Sequence, residues 1–164
     1  MGNGYLLHSH QAKYTVAEHT SNTIPWLGIE KLGVEIRFAP SQDGCVKIED
    51  VEALIDNRTR IVSTASTYFC SGYAINLKEL GEVCRRHNVI LAVDGIQSMG
   101  RLKMRPWAWN ISYVAGGTHK GMLGTKGAGY VYCSKELSAI LKPYSGSLQS
   151  LTNGGRPSPS APLQ

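Results

Sequence analysis

The stretch Val89-Ile90-Leu91-Ala92-Val93-Asp94-Gly95-Ile96-Gln97-Ser98 decides the reading of this chain. Its first five residues are apolar without interruption, as expected of a strand covered on both faces of a parallel sheet. Asp94-Gly95 then ends the run with a turn signal, at the end of the strand where open α/β sheets place their ligands. Upstream, Asn76 is a suitable N-cap for a helix with Leu77, Leu80, Val83 and Cys84 on one face and Lys78, Glu82 and Arg85 towards water. A strand over residues 60–64 precedes that helix, so the segment reads as a β-α-β unit.

The same alternation extends in both directions. Residues 23–32 read as a helix with Pro25 in its tolerant first turn, and residues 34–38 as a strand. After Asp43-Gly44, the residues Ile48, Val51, Leu54 and Ile55 recur at helical spacing. Downstream, residues 111–115 and 128–132 are strand candidates, and residues 135–141 a short helix. The fold class expected is α/β, an α-β-α sandwich around a mainly parallel sheet. Residues 152–164 hold glycines and prolines with little to bury and read as an unstructured tail.

Composition narrows the function classes. The 164 residues carry 42% hydrophobic and 18% charged residues with 18 glycines, the profile of a soluble globular α/β protein. The net charge of +5 is spread over scattered lysines and arginines without aromatic interleaving, which argues against nucleic acid and suits an anionic cofactor. Cys45, Cys70, Cys84 and Cys133 form no C-x-x-C pair and no zinc spacing, so reduced thiols in a cytoplasmic protein are expected. No apolar run is long enough for a membrane span. His8 and His10 lack a third ligand, and no metal site is expected. Neither G-x-G-x-x-G after the first strand nor G-x-x-x-x-G-K-[ST] occurs, which disfavours a nucleotide-binding domain.

A second strand ends at Gly116-Gly117-Thr118-His119-Lys120, and one crossover brings that end beside Asp94. The ordered set Asp94-Gly95-x-Gln97-Ser98, a strand, His119-Lys120, and the run Gly124-Thr125-Lys126-Gly127-Ala128-Gly129 before Tyr130-Val131-Tyr132 resembles the aminotransferase class V family of fold-type I pyridoxal 5'-phosphate (PLP) enzymes. Ser71-Gly72-Tyr73, Leu77-Lys78-Glu79-Leu80 and Glu18-His19-Thr20-Ser21-Asn22 with Pro25-Trp26 extend the resemblance over residues 15–145. That family includes cysteine desulfurases, selenocysteine lyases, kynureninase and several aminotransferases.

The resemblance implies a PLP-dependent transferase or lyase acting on an amino acid. It makes Lys120 the residue that holds the cofactor as a Schiff base and then moves protons. Asp94 would keep the pyridine nitrogen protonated, because a nearby carboxylate favours the cation. Gln97 would donate to the phenolic oxygen, His119 and Thr118 would meet the phosphate, and His19 would lie over the ring and assist proton transfer. Phe69 and Gly117 stand where many desulfurases carry Asn and Ser. The Tyr68-Phe69-Cys70-Ser71-Gly72 pattern therefore leans towards the aminotransferase, epimerase and kynureninase-like branches.

Family members are longer than this chain by more than a domain's length, and the resemblance implies a homodimer for them. The expected organisation is an atypical segment 1–14, a partial large domain 15–150 and the tail 151–164. The alternative is a non-catalytic fragment that associates with a full-length paralogue or partner subunit.

Overall fold

The computed structural model describes the backbone of residues 5–9 and, with side chains, residues 18–141. The expected tail lies outside the described residues, as do the side chains of His8 and His10. The sheet has six strands: β1 (Tyr5–Ser9), β2 (Glu35–Ala39), β3 (Thr59–Ala65), β4 (Ile90–Asp94), β5 (Tyr113–Gly117) and β6 (Gly129–Cys133). Their spatial order is β2-β1-β3-β4-β5-β6. The first five are mutually parallel, and β6 runs antiparallel to β5 at the edge.

The apolar runs become central strands because both faces are covered. Val62 pairs with Leu91 and Val93 with Val114, which puts these side chains on one face. They join one core with Ile48 and Val51 of α2 (Ile48–Ala53) and with Leu80, Val83 and Cys84 of α3 (Leu77–Arg86). Ser63 points the other way and accepts a hydrogen bond from Trp26 Nε1 of α1 (Thr20–Leu27) at 3.1 Å. Helices therefore lie on both faces, and the α-β-α sandwich with a mainly parallel sheet is what the chain forms. Helix α3 starts where expected, with Asn76 Oδ1 accepting from the Glu79 amide at 3.3 Å. A separate short helix, α4, covers Lys135–Ile140.

Two elements differ from the sequence reading. Helix α1 begins three residues earlier than expected, because the His19 side chain caps it by accepting the Ser21 amide at 3.2 Å. Pro25 consequently sits inside the helix, where it removes one N–H bond, and α1 ends at Leu27. A separate 3-10 turn follows over Glu30–Leu32, closed by Gly33 at φ 82°. The second difference is β1, which lies between β2 and β3 within the segment set apart as atypical. Its five residues, flanked by polar and glycine-rich sequence, carry too short a pattern to be read alone.

Candidate functional site

The C-terminal ends of β3, β4 and β5 lie side by side: Ala65 pairs with Asp94, and Asp94 with Ala115. The chain turns sharply after Asp94. Asp94 Oδ1 accepts the Ile96 amide at 2.9 Å, and the Gly95 carbonyl accepts the amides of Ser98 and Met99. Ser66, just past β3, holds this turn from the neighbouring strand. Its amide and hydroxyl both donate to the Asp94 carbonyl, at 2.9 and 3.0 Å, and its hydroxyl also meets that of buried Ser98. The backbone beneath the Asp94 carboxylate is thus fixed by hydrogen bonds, while Asp94 Oδ2 has no hydrogen-bond partner among the described residues.

The loop carrying Lys120 lies directly on that turn. The Gly121 amide donates to the Ile96 carbonyl at 3.0 Å. A Cβ at Gly121 would stand 2.7 Å from the Met99 carbonyl oxygen and 2.8 Å from that of Gln97, so only glycine permits the approach. Gln97 therefore lies in the same turn, with its backbone under the Lys120 loop. The Lys120 ammonium sits over the ring of Phe69, 5.3 Å from its centroid.

Phe69 links Lys120 to His19. The two rings are edge to face, with centroids 5.1 Å apart and planes at 82°. His19 Nδ1 is engaged at the start of α1 by the Ser21 amide at 3.2 Å and the Ser21 hydroxyl at 2.6 Å, which leaves Nε2 outside the cap. His19 is placed by Glu18, whose side chain is 1% exposed. The Glu18 carboxylate accepts from Asn22 Nδ2 at 3.0 Å, from the Thr64 hydroxyl at 3.2 Å and from the Ala65 amide. This pins the start of α1 to the end of β3.

The remaining sequence candidates sit around the same loop. The Thr118 hydroxyl donates to the Thr125 carbonyl at 2.7 Å and lies 3.3 Å from that of Ala128, so it braces the 118–128 loop. Contact with a phosphate would require that hydroxyl to exchange its partner. The exposed His119 folds back so that Nδ1 would lie 2.8 Å from a Cβ built on Gly117. Asp94 at the end of β4, Gln97 in the turn after it, Thr118, His119 and Lys120 in the loop after β5, and His19 at the start of α1 thus lie towards the C-terminal ends of β3, β4 and β5.

Three contributors were not assigned roles from sequence: Glu18, Phe69 and Tyr130. The Tyr130 hydroxyl is buried without a hydrogen-bond partner among the described residues, against the backbone of Gly95 and Gly116. A Cβ at either glycine would come within 2.6 and 2.5 Å of it, respectively. Burial pushes the phenol up to about 12, and the Asp94 carboxylate acts in the same direction. Alternation along β6 is the only sequence signal for it, since Tyr130 and Tyr132 share one face. Among the described residues no group of three or more His, Cys, Asp or Glu is placed to hold a metal ion. No helix there is long and apolar enough to cross a membrane.

The chain is similar to several known proteins. A probable cysteine desulfurase of Methanothermobacter thermautotrophicus is 32% identical over 130 residues, covering 77% of this chain and 32% of that protein. A probable cysteine desulfurase of Halalkalibacterium halodurans is 36% identical over 131 residues, 79% of this chain and 32% of the relative. The uncharacterized aminotransferase YcbU of Bacillus subtilis is 33% identical, covering 66% of this chain and 29% of its own length. The chain therefore spans about a third of the length of the curated relatives it matches. Among solved structures, the apo cysteine desulfurase of Thermococcus onnurineus NA1 superposes with a TM-score of 0.71 at 24% identity, over 82% of this chain and 32% of that one. The structure titled SspA in complex with cysteine superposes at 0.79 and 23% identity, over 94% and 42%. These superpositions show that the sheet and its helices take the same fold as those proteins. The aminotransferase class-V family model matches residues 2–153, and the chain belongs to that family.

Proposed function

We propose that the chain forms the central, lysine-bearing part of a PLP-dependent enzyme, a transferase or lyase that acts on an amino acid as a homodimer. The observation that carries this reading is the seating of the Lys120 loop on the Asp94 turn through Gly121 and Ile96. It supports an amine and a carboxylate acting together from the C-terminal ends of the adjacent strands β4 and β5. The side chains fit the cofactor: among the described residues one Asp94 oxygen has no hydrogen-bond partner, the Lys120 amine rests on an aromatic face, and His19 keeps Nε2 outside its helix cap.

When bound, PLP supplies an aldehyde that condenses with amines and a protonated ring that accepts electrons from the substrate carbon. Asp94 would hold the ring-nitrogen proton, and the Ile96 amide and Ser66 keep its carboxylate in place. Lys120 would be the amine that binds the aldehyde and the base for the proton at the substrate carbon. Gln97 would donate to the phenolic oxygen. His119 would meet the phosphate together with Thr118, whose hydroxyl would turn from the Thr125 carbonyl to do so. His19 would restrict the ring and assist proton transfer.

The test is to add PLP, look for a yellow adduct, reduce with borohydride and map the modified residue. Modification at Lys120, lost in Lys120→Ala, is expected. Modification elsewhere, or none, defeats the assignment.

A further inference from the structure

Phe69 stands beside two of the reacting groups proposed above, and burial does not account for its presence. Its side chain is 55% exposed, although the turn that carries it is well fixed. The Tyr68 amide donates to the Tyr73 carbonyl, the Gly72 amide donates to that of Tyr68, both at 2.9 Å, and Tyr68 itself is 1% exposed. A rigid turn thus presents an aromatic ring to the site rather than to the core. The ring has two neighbours that matter chemically: the Lys120 ammonium, over the ring at 5.3 Å from its centroid, and the His19 imidazole, nearly perpendicular at 5.1 Å.

We infer that Phe69 is the positioning residue of this site: its face holds the Lys120 side chain in place, and its contact with His19 sets the plane of the imidazole. The inference rests on Lys120 and His19 being the reacting groups. An aromatic face attracts a cation through its quadrupole, whereas a neutral amine gains little there. The ring therefore keeps the Lys120 side chain against its face while the site is free, and the amine leaves the ring to react. A perpendicular ring pair is a preferred aromatic geometry, which restrains His19 beyond its role as a helix cap. No hydrogen bond is needed for either effect, so an aromatic residue suits this position and an aliphatic one of similar size does not.

The test uses the full chain without added cofactor, as wild type, Phe69→Leu and Phe69→Tyr. An amine-directed acetylating reagent is applied, and the labelling rate of Lys120 is measured against that of Lys126 in the same molecules by peptide mapping. Phe69→Leu is expected to raise the Lys120 to Lys126 ratio by about 2- to 5-fold, the change a weak cation–ring attraction supports. It is also expected to move the ring-proton resonances of His19, which the neighbouring aromatic current shifts. Phe69→Tyr keeps the ring and is expected to match wild type in both measurements. An unchanged ratio and unchanged resonances in Phe69→Leu overturn the inference, and so does an equal change in Phe69→Tyr. Cofactor trapping on Lys120 is read separately. Wild-type trapping with no Phe69 effect leaves the proposed function standing and removes this inference. The expected Phe69 effects without trapping support the inference and remove the cofactor reading.

Discussion

The amide of Gly121 donates to the carbonyl of Ile96 at 3.0 Å, and this one bond joins the residue after Lys120 to the turn that begins at Asp94. The approach leaves no space for a side chain at residue 121, since the atoms that would meet a Cβ are backbone carbonyls of Gln97 and Met99. Gly121→Ala must therefore lift the Lys120 loop off the Asp94 turn. The expected cost is about 1–3 kcal/mol of stability, as for other insertions into packed sites. A loss of PLP trapping on Lys120 should accompany it. Denaturant melts and borohydride trapping check both parts; an alanine variant that keeps both would show that the loops are not coupled.

His19 is expected to have separable structural and chemical contributions, because its Nδ1 caps α1 while Nε2 remains outside the cap. His19→Ala removes the capping acceptor and should lower stability by about 0.5–2 kcal/mol. His19→Asn restores a good capping oxygen and should recover most of that loss. Neither variant supplies an imidazole, so proton exchange at the substrate carbon in the assembled enzyme should fall in both. Thermal melts of the two variants, with deuterium exchange into an amino acid, separate the roles.

Glu18 should tolerate little change. Its carboxylate accepts from Asn22 Nδ2, the Thr64 hydroxyl and the Ala65 amide. Glu18→Gln replaces one acceptor oxygen by an NH2 group, which faces a donor in this buried place. The expected loss is about 1–3 kcal/mol, the cost of leaving a buried polar group unmatched. A midpoint in urea unchanged from wild type would contradict the clamp between α1 and β3.

How much of this was legible in the sequence depends on whether local pattern or tertiary contact decides each element. Helix α3 was readable because Asn76 caps it and its buried residues recur at helical spacing, and β4 because five apolar residues end at Asp94-Gly95. The start of α1 was not, since histidine is not among the usual capping residues and nothing local says that its ring turns back to Ser21. Strand β1 escaped because it owes its place to β2 and β3 on either side. The order Asp94, Gln97, His119, Lys120 was readable as a motif. The burial of Glu18, the hydroxyl bonds of Thr118 and the place of Phe69 between Lys120 and His19 were not. Each depends on residues distant in sequence or on a loop closing upon itself.

The chain should lose stability on the alkaline side through two buried acids. Burial pushes the Cys84 thiol from 9.0 up to about 12, and burial with the Asp94 charge pushes the Tyr130 phenol from 10.0 up to about 12. Both groups hold their protons more tightly folded than unfolded. Their contribution is therefore fully present below the unfolded values and declines as pH rises from about 9 towards 12, where ionisation of the unfolded chain pulls the equilibrium. Cys84 should resist a thiol reagent at pH 8 while exposed Cys70 reacts. Tyr130→Phe removes the phenol and its unpartnered hydroxyl, so its alkaline transition should begin at higher pH than that of wild type. Urea melts at pH 8, 9.5 and 11 check the sign. A wild-type stability that rises over that interval, or a Phe variant that loses stability sooner, would show that the Tyr130 hydroxyl is not held in its buried, neutral form.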